Sequence, residues 1–206
     1  MENEDQQVEQ IKAFIKDYGP WIVAGVVLGL GSLFGWRYYQ DSQVEAAQAR
    51  TAVYQQVIET LQFGEDQDAL ARAQAITSEL SGSEQGALAR LYLAQHAVSA
   101  GDLDTARSEL ETAHAELRHE DLKSIVAMRL ARIDAALEDF TSAQAWLAGI
   151  RGSAFAAGVA EIQGDIYFAQ GNYSAARESY LAAADASAAG ANNALQMKID
   201  NLAGHE

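Results

Sequence analysis

The chain has 206 residues, of which 29 are acidic and 14 are Lys or Arg, so its formal net charge is −15 at pH 7. This charge balance repels nucleic acid and anionic lipid surfaces, so we expect the chain to bind neither through its surface charge. It contains no cysteine, which excludes disulfides, thiol catalysis and cysteine-based metal sites.

The first predicted element is a transmembrane helix over residues 18–39. No residue from Tyr18 to Trp36 carries a charge. At about 1.5 Å per residue this stretch spans about 28 Å, close to the roughly 30 Å of a bilayer's hydrocarbon core. Trp21 near one end, with Trp36 and Tyr38 near the other, match the aromatic belts of membrane helices.

Two other interpretations of the apolar stretch are weaker. Gly29 and Gly31 begin like the dinucleotide-binding pattern G-x-G-x-x-G, but Phe34 stands where the third glycine is needed. A cleaved signal peptide normally starts with a short basic segment, whereas here five acids lie in the first 17 residues. We therefore expect an uncleaved signal anchor, with Pro20 in the first turn of its helix.

The predicted span divides the chain into an N-terminal segment (1–17), the transmembrane helix (18–39) and a larger domain (40–206). Lys and Arg are balanced, because Lys12 and Lys16 precede the uncharged stretch and Arg37 and Arg50 follow it. Because orientation follows a bias in these residues, charge alone leaves the topology open.

The larger domain is predicted to be all-α. Residues 41–206 hold 24 acids and 11 Lys plus Arg, contain no proline, and are rich in Ala, Leu, Gln, Glu and Arg, which favour helices. Strand-like alternation of β-branched residues is missing, and glycines separate blocks of helical length.

Three segments of this domain share a repeating pattern. The sequence GDLDTARSEL begins at Gly101, EDFTSAQAWL at Glu138 and GNYSAARESY at Gly171, with offsets of 37 and 33 residues. This is close to the tetratricopeptide period of 34 residues. The predicted repeat has small residues where paired helices touch and bulky residues that fill the gaps between them. These positions are Gly101, Ala106, Ala143, Gly164, Tyr167, Gly171, Ala176 and Tyr180.

The predicted fold is therefore an all-α chain with one transmembrane helix and a tetratricopeptide-like solenoid of about four α-hairpins. The first hairpin is degenerate, with helices near 44–62 and 67–80, and a helix over about 191–202 caps the stack. A generic helical bundle would show one such match, whereas two good matches and a third at near-constant spacing favour the repeat.

No catalytic motif is visible, so we expect a non-enzymatic protein without cofactor or metal. His114 and His119 are five residues apart, which differs from the i, i+4 spacing of a helical zinc pair. No G-x-S-x-G and no phosphate-binding loop occurs. Paired acids lie at predicted turns, where carboxylates commonly cap helices.

In tetratricopeptide stacks the first helix of each hairpin lines a concave groove, which suggests a protein-binding surface. Apolar and polar residues are mixed at the corresponding positions, as expected for peptide binding. Leu91 and Met128 could instead belong to the core. The predicted groove residues are Leu91, Gln95, Val98, Met128, Arg132, Glu161, Asp165 and Phe168.

Small residues mark one face of the predicted transmembrane helix. Gly25 and Gly29 form a G-x-x-x-G pair, and Ser32 continues the same face. In lipid, helices associate by close packing at such residues, so this face is a candidate dock for a partner's transmembrane helix. The alternative is that glycine is simply common in membrane helices.

Sequence blocks in a fixed order resemble the YfgM family, ancillary subunits of the bacterial SecYEG translocon. They are QVEQIKAFIKDYG, the span ending GWRYY, GALARLYLAQ from Gly86, DLKSIVAMRLARI from Asp121 and LQMKIDNL from Leu195. The resemblance covers nearly the whole chain.

The resemblance implies a cytoplasmic N-terminus, a single inner-membrane helix and a periplasmic domain. It also implies association with SecYEG and the periplasmic chaperone PpiD, and help for unfolded or nascent periplasmic proteins leaving the translocon. The alternative is a membrane-tethered regulator that restrains an envelope-stress response regulator. The family offers no catalytic residues to carry over.

Overall fold

The computed structural model describes the backbone of residues 2–63, 69–187, 190–202 and 204; the side chains of 2–11, 13–15, 17 and 22 lie outside the description. Helices account for most of these residues, and no strand occurs among them. The all-α prediction is confirmed. The chain forms two compact units, Met1–Arg50 and Thr51–Glu206.

The described helices follow one another with short connections, and one 3₁₀ turn, Ser153–Phe155, precedes α7. They are α1 (Glu2–Phe63), α2 (Ala69–Glu79), α3 (Glu84–Ser99), α4 (Leu103–Glu116), α5 (Glu120–Ala136), α6 (Phe140–Gly149), α7 (Ala156–Ala169), α8 (Tyr173–Ala186) and α9 (Asn193–Leu202).

Helix α1 contains the apolar stretch and is longer than the sequence suggested. Its part from Tyr18 to Phe63 is long and apolar enough to cross a membrane, and its most apolar window is fully exposed. The prediction of one N-terminal helix able to span a membrane is confirmed. The expectation that Pro20 begins the helix is wrong, because α1 starts at Glu2 and Pro20 lies inside it. The preceding residues favour helix, and an internal proline removes a single backbone hydrogen bond.

The hairpins α3–α4, α5–α6 and α7–α8 share one turn geometry. The second residue after each first helix lies in the left-handed region: Gly101 (φ 79°), Glu138 (φ 61°) and Gly171 (φ 75°). Glu138 adopts it although it has a side chain, so the middle turn keeps its shape without a glycine. The predicted fold, a series of tetratricopeptide-like hairpins, is confirmed.

The residue after each left-handed position caps the second helix of its hairpin. Asp102, Asp139 and Asn172 each accept a hydrogen bond from the backbone N–H three residues on, at 3.0, 3.1 and 3.2 Å. Their own N–H groups donate back to the preceding helix at 2.9, 2.8 and 2.8 Å. These bonds satisfy backbone groups that helix ends otherwise leave unpaired.

Replacing Glu138 with glycine is expected to stabilise the protein. A left-handed conformation costs a residue with a side chain roughly 1–2 kcal/mol, and glycine's greater freedom in the unfolded chain offsets part of the gain. The free energy of unfolding should rise by about 0.5–1 kcal/mol in urea titrations. Glu178→Gly, at an exposed position inside α8, is the control and should lower it. Equal changes in the free energy of unfolding of both variants would contradict the interpretation that Glu138 is strained in this turn.

The core of the solenoid lies between the helices of neighbouring hairpins. Ala106, Ala143 and Ala176 are completely buried at equivalent places in the second helices. A Cβ built on Gly164 would collide with the ring of Tyr180, so α7 and α8 approach each other through this glycine. The small residues therefore set the distance between paired helices.

The two ends of the predicted solenoid differ in detail from the sequence expectation. At the start, α1 runs on through the expected first helix to Phe63, and Gln67, the expected start of the second, lies outside the described residues. At the other end the capping helix begins at Asn193 rather than Ala191. Asn192 explains this, because its side chain accepts a hydrogen bond from the N–H of Leu195 at 2.8 Å.

A buried ion pair joins the second and third hairpins. Nε of Arg107 on α4 lies 3.0 Å from Oδ1 of Asp134 on α5, which is fully buried, and Nη2 donates to Asp139 at 3.2 Å. Burial raises the pKa of Asp134, and the guanidinium of Arg107 opposes that shift. Arg107 therefore links α4, the second helix of one hairpin, to the first helix and the turn of the next hairpin.

Candidate functional site

A groove of about 490 Å³ lies between α3 and α5, the first helices of two neighbouring hairpins. We call it the α3–α5 groove. It is lined by Leu91, Ala94, Gln95, Val98, Ser99, Leu110, Arg129, Arg132 and Ile133. Its volume lies within the usual range of ligand pockets, roughly 300–1,000 Å³.

Four of the predicted groove residues meet in the α3–α5 groove. Leu91, Gln95 and Val98 are spaced by four and three residues, so they share one face of α3. Val98 is 45% exposed, which leaves an apolar side chain open to a ligand. Arg132 reaches the groove from α5. The groove therefore combines apolar and hydrogen-bonding groups.

Sequence reasoning missed five residues of the α3–α5 groove: Ala94, Ser99, Leu110, Arg129 and Ile133. Leu110 comes from α4, which lies behind the first helices and forms part of the floor. Arg129 precedes Arg132 by three residues, a spacing that places both on one face of α5 and could have revealed it.

Met128 lies at a packing contact rather than in the α3–α5 groove. A Cβ built on Gly158 of α7 would stand 3.1 Å from the sulfur of Met128 on α5. Met128 also packs on the buried cluster between the third and fourth hairpins. Met128 thus packs in the core, which is the alternative that the sequence left open for it.

Glu161 and Asp165 on α7 bind a cation from within the chain. The amine of Lys198 on α9 lies 2.8 Å from Oε1 of Glu161 and 2.7 Å from Oδ1 of Asp165. Tyr180 donates its O–H to Oδ1 of Asp165 at 2.9 Å. The amine also lies 5.7 Å from the centre of the Tyr180 ring. Helix α9 therefore covers the polar part of α7.

Phe168, the last predicted groove residue, packs against the chain's own aromatic residues. Its ring meets that of Tyr173 edge to face, with centroids 5.5 Å apart. Both rings, together with Tyr167, pack on the buried cluster shared by α8 and α9. At the final hairpin, the predicted groove positions are thus in contact with α8 and α9.

The cluster of Lys198, Glu161, Asp165 and Tyr180 should make the protein less stable in alkaline solution. Burial lowers the pKa of Lys198, but its hydrogen bonds and ion pairs to Asp165 and Glu161 outweigh burial and raise the pKa overall. Burial and the hydrogen bond to Asp165 raise the pKa of Tyr180 as well. Stability from groups with raised pKa values is present below their ordinary values, near pH 10, and is lost as the pH rises through the raised ones.

Lys198→Met is expected to lower the free energy of unfolding by about 1–2 kcal/mol near neutral pH, given charge-assisted hydrogen bonds that are partly exposed. The difference from wild type should shrink as the pH rises above about 10, which urea titrations at several pH values can measure. Lys123→Met, which breaks an exposed pair with Glu120, is the control and should have little effect. A difference that persists unchanged to high pH would contradict this role.

A second cavity, of about 330 Å³, lies between α5 and α6 beside His114. The His114 ring meets that of Trp146 edge to face, with centroids 5.2 Å apart, and burial lowers the pKa of His114. Within the described residues, no three His, Cys, Asp or Glu side chains come together as a metal site would need. His114 thus packs on an aromatic side chain.

The small-residue face of α1 is open. A Cβ built on Gly25 or Gly29 would have nothing within 4 Å. Ser32 donates its hydroxyl to the carbonyl of Leu28 at 2.8 Å, so its polar group is satisfied inside the helix. The face can therefore accept a closely packed neighbour.

These features define a class: a tetratricopeptide-like solenoid on a chain with one N-terminal helix able to span a membrane. The family model of the tetratricopeptide repeat-like domain matches residues 12–204. The chain belongs to this repeat family and, within it, to the ancillary SecYEG translocon subunits known as YfgM.

Three relatives support the assignment along their whole length, and each is named an ancillary SecYEG translocon subunit. The protein of Escherichia coli K12 is 34% identical, over 98% of this chain and 97% of its own. Those of Haemophilus influenzae and Aggregatibacter actinomycetemcomitans are 31% and 28% identical, over 97% of this chain and 97% of their own. No solved structure matches the chain significantly.

Proposed function

We propose that this chain is a non-enzymatic ancillary subunit of the Sec translocon. In this proposal its solenoid binds unfolded or nascent proteins as they leave SecYEG on the periplasmic side. The observation that carries the proposal is the full-length similarity to the Escherichia coli subunit, which includes both the apolar helix and the repeats. The open α3–α5 groove supports the client-binding part of the proposal.

We include the membrane-anchored chaperone PpiD among the proposed partners, because the YfgM family that the chain resembles associates with it. The small-residue face of α1 is the proposed contact with a partner's transmembrane helix. Gly25 and Gly29 leave space there for a neighbouring backbone, and close packing is what drives helix association in lipid.

Site-specific photo-cross-linking in cells tests the proposed role of the α3–α5 groove. A photoreactive amino acid at Gln95, which is exposed in the groove, should cross-link to newly exported polypeptides. The same group at Glu178, exposed on α8, is the control and should capture far fewer. Equal capture from both positions would contradict client binding in the groove. Capture of a response regulator from Lys12 in the N-terminal segment would favour the regulatory alternative instead.

The proposed orientation predicts opposite labelling at the two ends of the chain. Because the sequence has no cysteine, Lys12→Cys and Glu178→Cys each provide one reactive thiol. An impermeant maleimide should label Glu178→Cys in cells whose outer membrane has been opened, and should label Lys12→Cys only after the inner membrane is broken. Labelling of both from the same side would contradict a helix that spans the membrane once.

A further inference from the structure

In the described residues of the compact unit 51–206, few Lys and Arg side chains are without a partner. Most are occupied: Arg90 lies 2.9 Å from Glu109, Arg107 is paired with Asp134, and Lys198 with Glu161 and Asp165. In the described part of this unit, three arginines form neither a hydrogen bond nor an ion pair with a described residue: Arg118, Arg129 and Arg132.

Two of these three arginines line the α3–α5 groove. Arg129 and Arg132 are three residues apart on α5, both are exposed, and both border the cavity. The opposite wall is formed by α3, where Leu91 and Val98 alternate with two neutral polar residues. The groove thus has a cationic wall facing a wall that carries no charge.

The floor of the groove is apolar and well packed. Ala94 is 2% exposed, Leu110 3% and Ile133 8%, so the floor offers no polar group of its own from these side chains. A ligand that fills the groove must therefore be apolar where it faces the floor. Among the lining residues only the two arginines carry a charge, so an ionic group of the ligand would be bound by their guanidinium groups at the rim.

We infer that the α3–α5 groove selects peptide segments in which apolar side chains are flanked by a carboxylate, with Arg129 and Arg132 binding that carboxylate. The inference rests on the proposed function and names the class of client sequence it would accept. Arginine suits this role because its planar group presents several donors to a carboxylate. The groove differs in this respect from the rest of the unit, whose charge is strongly negative.

The acidic surface of the domain allows binding in the groove to be distinguished from attraction to the overall charge. Long-range attraction to a net negative domain would favour basic peptides, but salt screens it beyond about 8 Å at physiological ionic strength. Contacts with Arg129 and Arg132 act at hydrogen-bond distance and persist. Preference for an acidic over a basic peptide would therefore report the groove rather than the overall charge.

Three fluorescent peptides of twelve residues provide the probe. They share the same leucines and alanines and differ at two positions, which hold Glu, Gln or Lys. Binding to the full-length chain in detergent micelles is measured by fluorescence anisotropy in physiological salt. The Glu peptide should bind about tenfold more tightly than the Gln peptide, as two partly exposed charge-assisted contacts would give, and the Lys peptide should bind least.

Two variants test whether Arg129 and Arg132 cause the preference for the Glu peptide. In Arg129→Gln/Arg132→Gln the Glu peptide should bind only as well as the Gln peptide, whose own affinity should not change. Arg118→Gln removes the third unpaired arginine, lies away from the groove, and should leave all three affinities unchanged. Together these results would support the inference.

Three results with the wild-type chain would overturn the inference: equal binding of the Glu and Gln peptides, tightest binding of the Lys peptide, or no binding of any peptide. A double variant that weakens the Glu and Gln peptides equally would also overturn it. Co-purification with SecYEG is measured in parallel on the same variants. If SecYEG is retained while the charge preference is absent, only this inference fails and the proposed function stands.

Discussion

Replacing Gly164 with leucine is expected to lower the free energy of unfolding of a fragment of residues 41–206 by about 3 kcal/mol, near the upper end for overpacking. A side chain at Gly164 would collide with the Tyr180 ring. That ring is 3% exposed and is held by its hydrogen bond to Asp165, so it cannot move aside. Helices α7 and α8 would be forced apart.

The fragment's melting temperature should therefore fall by about 6–12 °C, at roughly 2–4 °C per kcal/mol for a domain of this size. Gly149→Leu is the control, because a Cβ there meets nothing within 4 Å, and it should change stability by about 0.5 kcal/mol or less. Melting of Gly164→Leu at the wild-type temperature would show that the hairpin does not depend on this close approach.

Replacing Gly25 and Gly29 together with leucine is expected to reduce co-purification of the proposed partners, SecYEG or PpiD, on the order of tenfold, which corresponds to about 1.4 kcal/mol of binding free energy. Leucine keeps the helix apolar, so membrane insertion should be unchanged. The added side chains would fill the space that the glycines leave open and keep a neighbouring helix at a distance.

Gly31→Leu/Gly35→Leu is the matched control for this prediction. It adds the same two side chains at the same spacing, also into open space, but on another side of the helix. Partner capture should be retained. Equal loss in both double variants, or loss in neither, would mean that the Gly25 and Gly29 face is not the contact, and recruitment would then be assigned to the solenoid.

The fold was predictable because its turns repeat in the sequence. Gly101 and Gly171, followed by a capping side chain, mark two hairpins directly. The middle turn was harder to recognise, because Glu138 adopts the left-handed conformation without being a glycine. Its capping residue, Asp139, still preserved the pattern. A strong cap and packed neighbours can thus maintain a turn that local preference disfavours.

The candidate site was predictable only where it depends on one helix face at a time. Repeat position brought Gln95 and Arg132 to the α3–α5 groove, since equivalent residues of stacked helices lie side by side. It could not show that Asp165 is bound by Lys198, which is 33 residues away on a helix outside the repeat. Nor could it show the full length of α1, because Pro20 is normally a sign of a helix start and here lies within the helix.

The central claim, that this chain is a membrane-anchored subunit of the Sec translocon, is tested most directly by purification of the intact protein. The tagged full-length chain is extracted from native membranes in mild detergent and its partners are identified by mass spectrometry, with an unrelated single-span membrane protein as control. The account predicts that SecY, SecE and SecG are enriched with this chain and not with the control. Absence of all three, with the intact chain recovered from the membrane fraction, would contradict it.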